Sequence, residues 1–308
     1  MSTLEDPTVP DLAAPVDRPE KSSPFIEIKA GTENAPVFIT HGLCGTARFG
    51  ELAKQIRTGN PIYGIQGKGV DGIEAPVERV EEMADYYLES LQALYPQGPY
   101  IFIGYSFGGL VALEMAQRLW GTPNQVSLLV LLDAYPHPSC YTRPVRMRLM
   151  LTRVKGHVKE MLQLSFSEAW SYFVKGLKRR LHFPGAHDEQ PLPPKLRNRG
   201  LSETALREVK KKAYVALGAY RPKFYPGKIY FVSGEEKSFF PEDPRSVWGS
   251  LVADLKVESI PGNHMNIVST EFEALAEVLT RYIKEVNEAA QSAQSVSESE
   301  SLMKNTIA

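Results

Sequence analysis

The sequence is short of the features that mark several classes of protein. Only two of its 308 residues are cysteine, Cys44 and Cys140, and two thiols in a chain of this size are too few for a disulfide framework. No run approaches the roughly 18 apolar residues that a membrane-spanning helix needs. The formal net charge is only −1, so the chain lacks the strongly basic character of nucleic-acid-binding proteins. We therefore expect a protein that binds neither nucleic acid nor membrane.

Both ends of the chain are poor in large apolar residues. The first 24 residues are acidic and rich in proline, without the basic start and apolar stretch of a secretory signal. Residues 289–308 are rich in serine and glutamate. Such segments cannot bury enough surface to offset the entropy lost on ordering. We predict a cytoplasmic protein with a disordered leader or linker at 1–24, one domain at 25–288 and a disordered tail at 289–308.

Between the two ends, short apolar runs alternate with stretches of helical spacing. The apolar runs, which are typical of buried strands, lie at 36–40, 62–65, 100–103, 126–132, 229–232 and 255–260. Helical spacing is found at 49–56, 77–94 and 110–119. Fully apolar strands separated by helices indicate an α/β fold in which a mostly parallel sheet is covered by helices on both faces.

One long segment, about 137–220, interrupts this alternation. It contains no strand-like run, and helical spacing recurs at 147–161, 167–180 and 203–216. An insertion of this length between two strands is typical of a lid. Residues 143–212 hold 17 Lys and Arg against 6 Asp and Glu, a net charge of +11. This excess suits either a solvated surface or the steering of an acidic partner.

The segment Tyr100–Met115 has the pattern of a strand, a tight turn and a helix, with a serine in the turn. Gly104 and Gly108 lie two residues on either side of Ser106, and glycine suits a turn whose backbone is crowded. The helix that follows directs N–H groups and its positive dipole end at the same place, which suits a developing oxyanion. We predict that Ser106 is a nucleophile in an α/β-hydrolase fold; the alternative is a structural turn serine.

A serine hydroxyl needs a general base within hydrogen-bond reach, and histidine has a suitable pKa. His41 follows the first apolar run, a position typical of the oxyanion loop. His264 follows the last predicted strand, which is the expected place of the base in chain order. We therefore predict His264 as the base, with a capping role as the alternative. Surface positions are expected for the histidines of the inserted segment, which are His137, His157, His182 and His187.

Two places along the chain could supply the carboxylate that orients the histidine. Asp133 directly follows the apolar run 126–132, whereas Glu235, Glu236 and Asp243 follow the next strand. A carboxylate at the end of a fully apolar strand is costly unless it is paired, which favours Asp133. The residues alone leave the three later carboxylates open, and also a role for Asp133 as a cap of the inserted segment.

An oxyanion hole takes two backbone donors, one from the residue after the nucleophile and one from the loop after an early strand. By position these are Phe107 and Leu43. Leu43 follows Gly42, and a glycine lets the loop fold over the serine. We expect Cys44 to line this loop and not to act as a second nucleophile.

The pattern extends beyond the serine motif. Further segments with a recognisable pattern lie at 63–69, 80–84, 97–100, 104–109, 114–116, 219–222, 225–227 and 262–264. Through these segments, about 35–285 resembles the thioesterase domains that end nonribosomal peptide and polyketide synthases, which have a relative in animal fatty acid synthase. In that family the acid follows the strand after the nucleophile, so the resemblance implies Asp133.

The resemblance implies that an acyl chain arrives as a thioester on the phosphopantetheine arm of an acyl or peptidyl carrier protein, or on coenzyme A. The chain would be transferred to Ser106 and released to water or to an internal nucleophile. No cofactor or metal of the enzyme's own is implied. An acidic carrier protein would suit the basic insertion, which we therefore regard as a candidate docking site.

Three alternatives use the same residues differently. The pair His41-Gly42 departs from the proline-containing loop common in that family, which keeps a carboxylesterase or lipase open. An acyltransferase or cyclase would use the same triad and differ only in its acceptor. A non-catalytic binding protein of this fold is disfavoured because serine, histidine and acid are all present. With 24 residues ahead of the domain and a long lid, we expect a free-standing enzyme or a releasing domain separated from a synthase.

Overall fold

The computed structural model describes residues 23–32, 35–40, 42, 49–162, 203–236 and 240–307. The strands in these ranges are β1 (Phe25–Lys29), β2 (Val37–Thr40), β3 (Ile62–Ile65), β4 (Tyr100–Tyr105), β5 (Val126–Leu132), β6 (Tyr225–Gly234) and β7 (Val252–Ile260). The helices are α1 (Phe49–Gln55), α2 (Val80–Leu94), α3 (Phe107–Leu119), α4 (Arg143–Leu162), α5 (Glu203–Ala219), α6 (Arg245–Trp248) and α7 (Phe272–Ile307).

The strands form one sheet in the order β1-β3-β2-β4-β5-β6-β7. Every neighbouring pair is parallel except β1 and β3. Helices α2, α3 and α5 bury their apolar faces against one side of the sheet, and α1 and α7 against the other. Because both faces are covered, the central strand β4 is buried along its whole length. The α/β architecture predicted from the sequence is confirmed.

The register of the parallel strands brings their carboxyl ends to one edge of the sheet. Thr40 of β2 pairs with Gly104 of β4, and Tyr105 of β4 pairs with Leu132 of β5. The residues directly after β2, β4 and β5 therefore lie side by side, at the edge where open α/β sheets bind their ligands.

The structure adds one strand and changes the starts of three helices, among them α4, which begins at Arg143 and not at 147. Strand β1 has no counterpart among the predicted runs, because its sequence FIEIK alternates apolar and polar residues and lies on the sheet's antiparallel edge. Helix α2 begins at Val80 and not at 77. Helix α3 begins at Phe107 and not at 110, because Gly108 and Gly109 interrupt the apolar pattern at its start. Helix α3 therefore starts at the residue after Ser106.

The predicted insertion lies between β5 and β6. Its described parts contain a short 3₁₀ turn (Pro138–Cys140) and the helices α4 and α5. The predicted helix at 167–180 lies outside the described residues. The predicted leader lies outside them too, apart from Ser23 and Pro24.

Helix α7 is the clearest departure from the prediction at the C-terminal end. It continues to Ile307, so the structure has a helix where the sequence predicts a disordered tail. Residues 289–293 on it are exposed. The segment from 287 to 307 contains neither proline nor glycine and is rich in Ala, Glu, Gln and Ser, so no residue in it stops the helix that Phe272 begins.

Candidate active site

Ser106 lies in a sharp turn between β4 and α3. Its backbone has φ 54° and ψ −124°, a conformation that few residues other than glycine adopt. The turn is held by the Ser106 N–H, which donates to the carbonyl of Leu132 at 2.9 Å. A Cβ on Gly104 would overlap the Cα of Gly109, and a Cβ on Gly109 would overlap the Cβ of Ala134. The crowding expected at Gly104 is therefore present, and Gly109 adds a second crowded position.

The three side chains predicted as nucleophile, base and acid form a continuous chain of contacts. The Oγ atom of Ser106 lies 3.0 Å from Nε2 of His264. Nδ1 of His264 lies 3.1 Å from Oδ2 of Asp133. The side chains of His264 and Asp133 are 16% and 9% exposed, so little water competes for the bond between them. The arrangement can pass a proton from the serine hydroxyl to the imidazole.

Asp133 occupies a second strained position at the same edge of the sheet. Its φ is 46°, and its N–H donates to the carbonyl of Val232 in β6 at 2.8 Å. Aspartate tolerates the left-handed region better than most residues. The turn directs the carboxylate across the strand ends toward His264.

Aromatic side chains surround the imidazole of His264. The ring of Tyr105 stacks on it at a centroid distance of 5.2 Å, and Phe240 packs against it at 4.9 Å. The hydroxyl of Tyr105 also donates to the backbone carbonyl of His264 at 2.5 Å. Sequence reasoning missed both aromatic neighbours. Tyr105 could have been found because it lies inside the serine motif, but no sequence signal marks Phe240.

The alternative acids make other contacts. Glu236 accepts a hydrogen bond from the side-chain amide of Asn263 at 2.9 Å. Asp243 accepts from the backbone N–H of Arg245 at 2.9 Å, at the start of α6. The N–H of Glu235 donates to the carbonyl of Ile260. Among the described residues, Asp133 is the carboxylate in hydrogen-bond contact with His264.

The predicted oxyanion donors are only partly within the described residues. Phe107 is the first residue of α3, and the first N–H groups of a helix have no partner inside it. Leu43, His41 and Cys44 lie outside the described residues. Gly42 is described, and a Cβ placed there would lie 3.1 Å from the Tyr105 ring and 3.4 Å from the Cβ of Ser106. Gly42 therefore lies directly against the serine.

A mainly apolar cleft opens beside the serine turn. The wall nearest the serine is formed by Phe107 and Gly108. Thr40 closes that end, and its hydroxyl donates to the carbonyl of Gly108 at 2.7 Å. The apolar side chains that line the cleft include Ile65, Met83 of α2, Val111 of α3, and Val209 and Ala213 of α5.

In the described part of the chain, no group of three or more His, Cys, Asp or Glu side chains could hold a metal ion. No helix within it is long and apolar enough to cross a membrane.

A strained serine between a parallel strand and a helix, with its partners supplied by later strand ends, defines the class: the fold is that of an α/β hydrolase. The model of one family, described as Thioesterase domain, matches residues 35–283. The chain therefore belongs to the thioesterase-domain family. The extent of the match agrees with the resemblance found from the sequence.

A peptide synthase is among the most similar curated proteins. The chain is 27% identical over 301 residues to the dimodular nonribosomal peptide synthase of Bacillus subtilis (strain 168). This alignment covers 92% of the chain but only 12% of the synthase. The chain thus matches a small part of a much longer protein.

Solved structures support the fold independently of sequence. The NocB thioesterase domain, solved as a covalent complex with a fluorophosphonate nocardicin G analog, has a TM-score of 0.56 at 22% identity. That match covers 82% of the chain and 96% of the NocB domain. The type II thioesterase BorB from the borrelidin biosynthetic cluster has a TM-score of 0.55 at 18% identity, covering 84% and 96%. At these identities the likeness establishes the fold alone.

Proposed function

We propose that this chain is an acyl-thioesterase that takes an acyl, peptidyl or polyketide chain from a thioester onto Ser106 and then releases it. The observation that carries the proposal is the unbroken contact from Ser106 through His264 to Asp133, beside an apolar cleft. Membership of the thioesterase-domain family favours a thioester over a simple ester as the substrate.

In the first half-reaction, the Oγ of Ser106 attacks the thioester carbonyl and its proton passes to Nε2 of His264. The negative charge that develops on the carbonyl oxygen is bound by the N–H groups of Phe107 and Leu43. The C–S bond then breaks, and the imidazolium gives its proton to the sulfur, which leaves as a free thiol. An acyl ester on Ser106 remains.

In the second half-reaction, a water attacks the ester carbonyl and gives its proton to Nε2 of His264. The C–O bond to Ser106 breaks, the serine regains a proton and the acyl chain leaves as a free acid. Asp133 accepts a hydrogen bond from Nδ1–H throughout, which fixes the tautomer and stabilises the imidazolium. If an amine or hydroxyl of the substrate replaces water, the same steps give a cyclised or transferred product.

The apolar cleft is where we place the acyl chain. Phe107 forms part of its wall and is the neighbour of Ser106 in the sequence, so a chain esterified to Ser106 can extend into the cleft. The side chains around it exclude water from apolar groups of the substrate. The protein needs no cofactor of its own for this chemistry, because the phosphopantetheine arm arrives with the substrate.

The partner that we propose is an acyl or peptidyl carrier protein, with α4 as part of its docking surface. The part of α4 whose side chains are described, 143–155, has five cationic residues and no acidic one. Its apolar residues Met147, Met150, Leu151 and Val154 are 44–60% exposed and spaced so as to share one helix face.

Arg148 pairs with Glu242, two residues from the Phe240 that packs on His264. An acidic carrier protein docked there would hold its arm near the triad.

The experiment that tests this function is intact-protein mass spectrometry after mixing with a panel of acyl-pantetheine thioesters. We expect an acyl adduct on wild-type protein, no adduct on Ser106→Ala, and decay of the adduct to free acid. A lactone, amide or new ester as the product would show that the enzyme cyclises or transfers the acyl chain instead of hydrolysing it. Faster turnover of p-nitrophenyl esters than of matched thioesters would overturn the proposal in favour of a carboxylesterase or lipase, the reading left open by His41-Gly42.

A further inference from the structure

A carboxylate is buried on the helix that carries the serine turn. Glu114, eight residues after Ser106 on α3, is only 7% exposed. Its Oε2 accepts a hydrogen bond from the hydroxyl of Tyr220 at 2.9 Å, and its Oε1 accepts one from Nε of Arg118 at 3.1 Å. Burying a carboxylate is costly unless both oxygens are paired. The proposed mechanism makes no use of this group.

Tyr220 directly follows the last residue of α5, the helix that lies over the cleft. Four residues of α5 and its end, Val209, Ala213, Ala216 and Tyr220, are buried and spaced by four, three and four positions, so they form one face of the helix. Val209 and Ala213 line the cleft. The bond to Glu114 therefore lies on the same helix face as the roof of the cleft, two turns beyond Ala213.

On α3, too, a residue that lines the cleft and a residue of the hydrogen-bond network lie on the same face. Val111 lines the cleft from α3, and Glu114 lies three residues further along, on the same face. Arg118 pairs with Glu114 and also with Asp85 of α2. The network therefore joins α2, α3 and α5, the three helices whose side chains form the walls of the cleft.

The phenol of Tyr220 is a fixed donor in this network. Burial, and after it the negative charge of Glu114, raise the pKa of Tyr220. With its pKa raised, the hydroxyl keeps its proton at neutral pH and donates it in the hydrogen bond to the carboxylate. Lys212 of α5 also forms an ion pair with Glu78, but this pair is exposed. Exposed ion pairs contribute little to stability, so it does little to fix the position of α5.

We propose that Glu114 and Tyr220 are positioning residues that hold α5 over the acyl cleft and thereby limit which acyl chains the cleft accepts. This inference rests on the proposed function, because it takes the cleft to be the acyl site. When the bond is lost, α5 moves more freely relative to α3. An acyl chain that fits the cleft as it stands in the structure is then bound less tightly, and bulkier acyl chains enter more easily.

Tyr220→Phe removes the bond and keeps the ring. Tyr100→Phe is the matched control, since Tyr100 is a fully buried tyrosine whose hydroxyl donates to the carbonyl of Tyr95 at 2.7 Å, outside the cleft lining. For Tyr220→Phe we expect KM for the best acyl-pantetheine thioester to rise about tenfold. We also expect a smaller ratio of kcat/KM between butyryl and palmitoyl thioesters, with kcat little changed. For Tyr100→Phe we expect KM, kcat and the ratio of kcat/KM between the two thioesters to stay as in the wild type.

Labelling by alkyl fluorophosphonates of graded length tests the role of the Tyr220–Glu114 bond separately from the proposed function. These probes react with Ser106 directly, so their dependence on chain length shows what the cleft accepts even if thioesters are not the substrate. Tyr220→Phe should label with a short-chain probe at close to the wild-type rate but discriminate less between short and long chains. Unchanged discrimination, with a loss of thermal stability equal to that of Tyr100→Phe, would overturn the inference.

Glu114→Gln provides a second variant if Tyr220→Phe does not fold. Its amide oxygen can still accept the hydrogen bond from Tyr220, whereas the charge that pairs with Arg118 is lost. We expect chain-length discrimination close to the wild type together with lower stability. If discrimination falls in Glu114→Gln although the bond from Tyr220 can still form, the proposed role of that bond is wrong.

Discussion

Two residues with positive φ, Ser106 and Asp133, support the proposed chemistry at the scale of single side chains. Both follow the last residue of a buried parallel strand, and both hold a polar group above the strand ends. Such strain persists only where the surrounding structure fixes it. Here the backbone N–H of each residue donates to the carbonyl of the neighbouring strand, Leu132 for Ser106 and Val232 for Asp133.

We predict that Asp133→Asn lowers kcat by about 10³–10⁴-fold while the fold is retained. Asparagine tolerates positive φ, but its amide lacks the charge that stabilises the imidazolium and can favour the wrong tautomer. Glu236→Gln is the control, because it tests one of the alternative acids. Single-turnover kinetics with an acyl-pantetheine thioester measure both. A large loss of kcat in Glu236→Gln with little loss in Asp133→Asn would identify Glu236, and not Asp133, as the acid.

A second residue-scale prediction concerns the crowded turn. Gly104→Ala places a methyl group into the backbone of Gly109, and we expect it to lower the free energy of unfolding by about 3 kcal/mol. Gly50→Ala is the control, since a methyl group there meets no atom within 4 Å and alanine favours the helix. Urea denaturation compares the two. Equal stability of both variants would show that the turn relaxes freely.

At the scale of secondary structure, α7 contains two regions with different roles. Its first part buries Leu275, Leu279, Tyr282 and Ile283 against the sheet. From 289 to 293 every residue is exposed. An exposed helix gains little beyond its own backbone hydrogen bonds, so this end contributes little to the core.

We predict that deleting 289–308 leaves the thermal midpoint and the thioesterase activity unchanged and lowers the helical circular dichroism signal. A matched deletion from 281 onward also removes the buried Tyr282 and Ile283, and it should prevent stable folding because these side chains fill one face of the core. A fall in the thermal midpoint after the shorter deletion would mean that the end of α7 packs on the body of the protein.

At the scale of the whole molecule, charge is distributed unevenly. The net charge of the chain is −1, whereas residues 143–212 carry +11, so the remainder is acidic. An asymmetry of this kind directs the approach of a charged partner. It also explains why the net charge alone gave no indication of the carrier protein that we propose.

We predict that changing Arg143, Arg146 and Lys155 of α4 to glutamate slows release from an acyl-carrier protein but not from the free pantetheine thioester. The expected increase in KM for the carrier substrate is about tenfold at low salt, and it should shrink as salt screens the charges. Lys54→Glu with Lys284→Glu is the control, because both lysines are exposed on helices outside the insertion. An equal effect of both charge changes would count against docking at α4.

The α/β fold, the position of Ser106 and the relation to synthase thioesterase domains were predicted from the sequence, and the fold and family are confirmed. Fully apolar runs indicate parallel strands because only buried strands are apolar on both faces. The serine turn could be predicted because its strand, glycines and helix are adjacent in the chain. At the end of α7 the structure differs from the prediction: the polar composition suggests disorder, but the segment contains no residue that stops a helix, and the helix continues.

Other features depend on residues that are distant in the sequence. The residues alone left Asp133 and three later carboxylates open as the acid, because several loops end at the same edge of the sheet; the register of β5 and β6 brings Asp133 to His264. The packing of Phe240 on His264 and the bond between Tyr220 and Glu114, 106 residues apart, could not be read from local pattern. The sequence by itself determined which strands and turns form, because those depend on neighbouring residues. Only the tertiary structure decided which side chains meet, because that depends on strand order and helix packing.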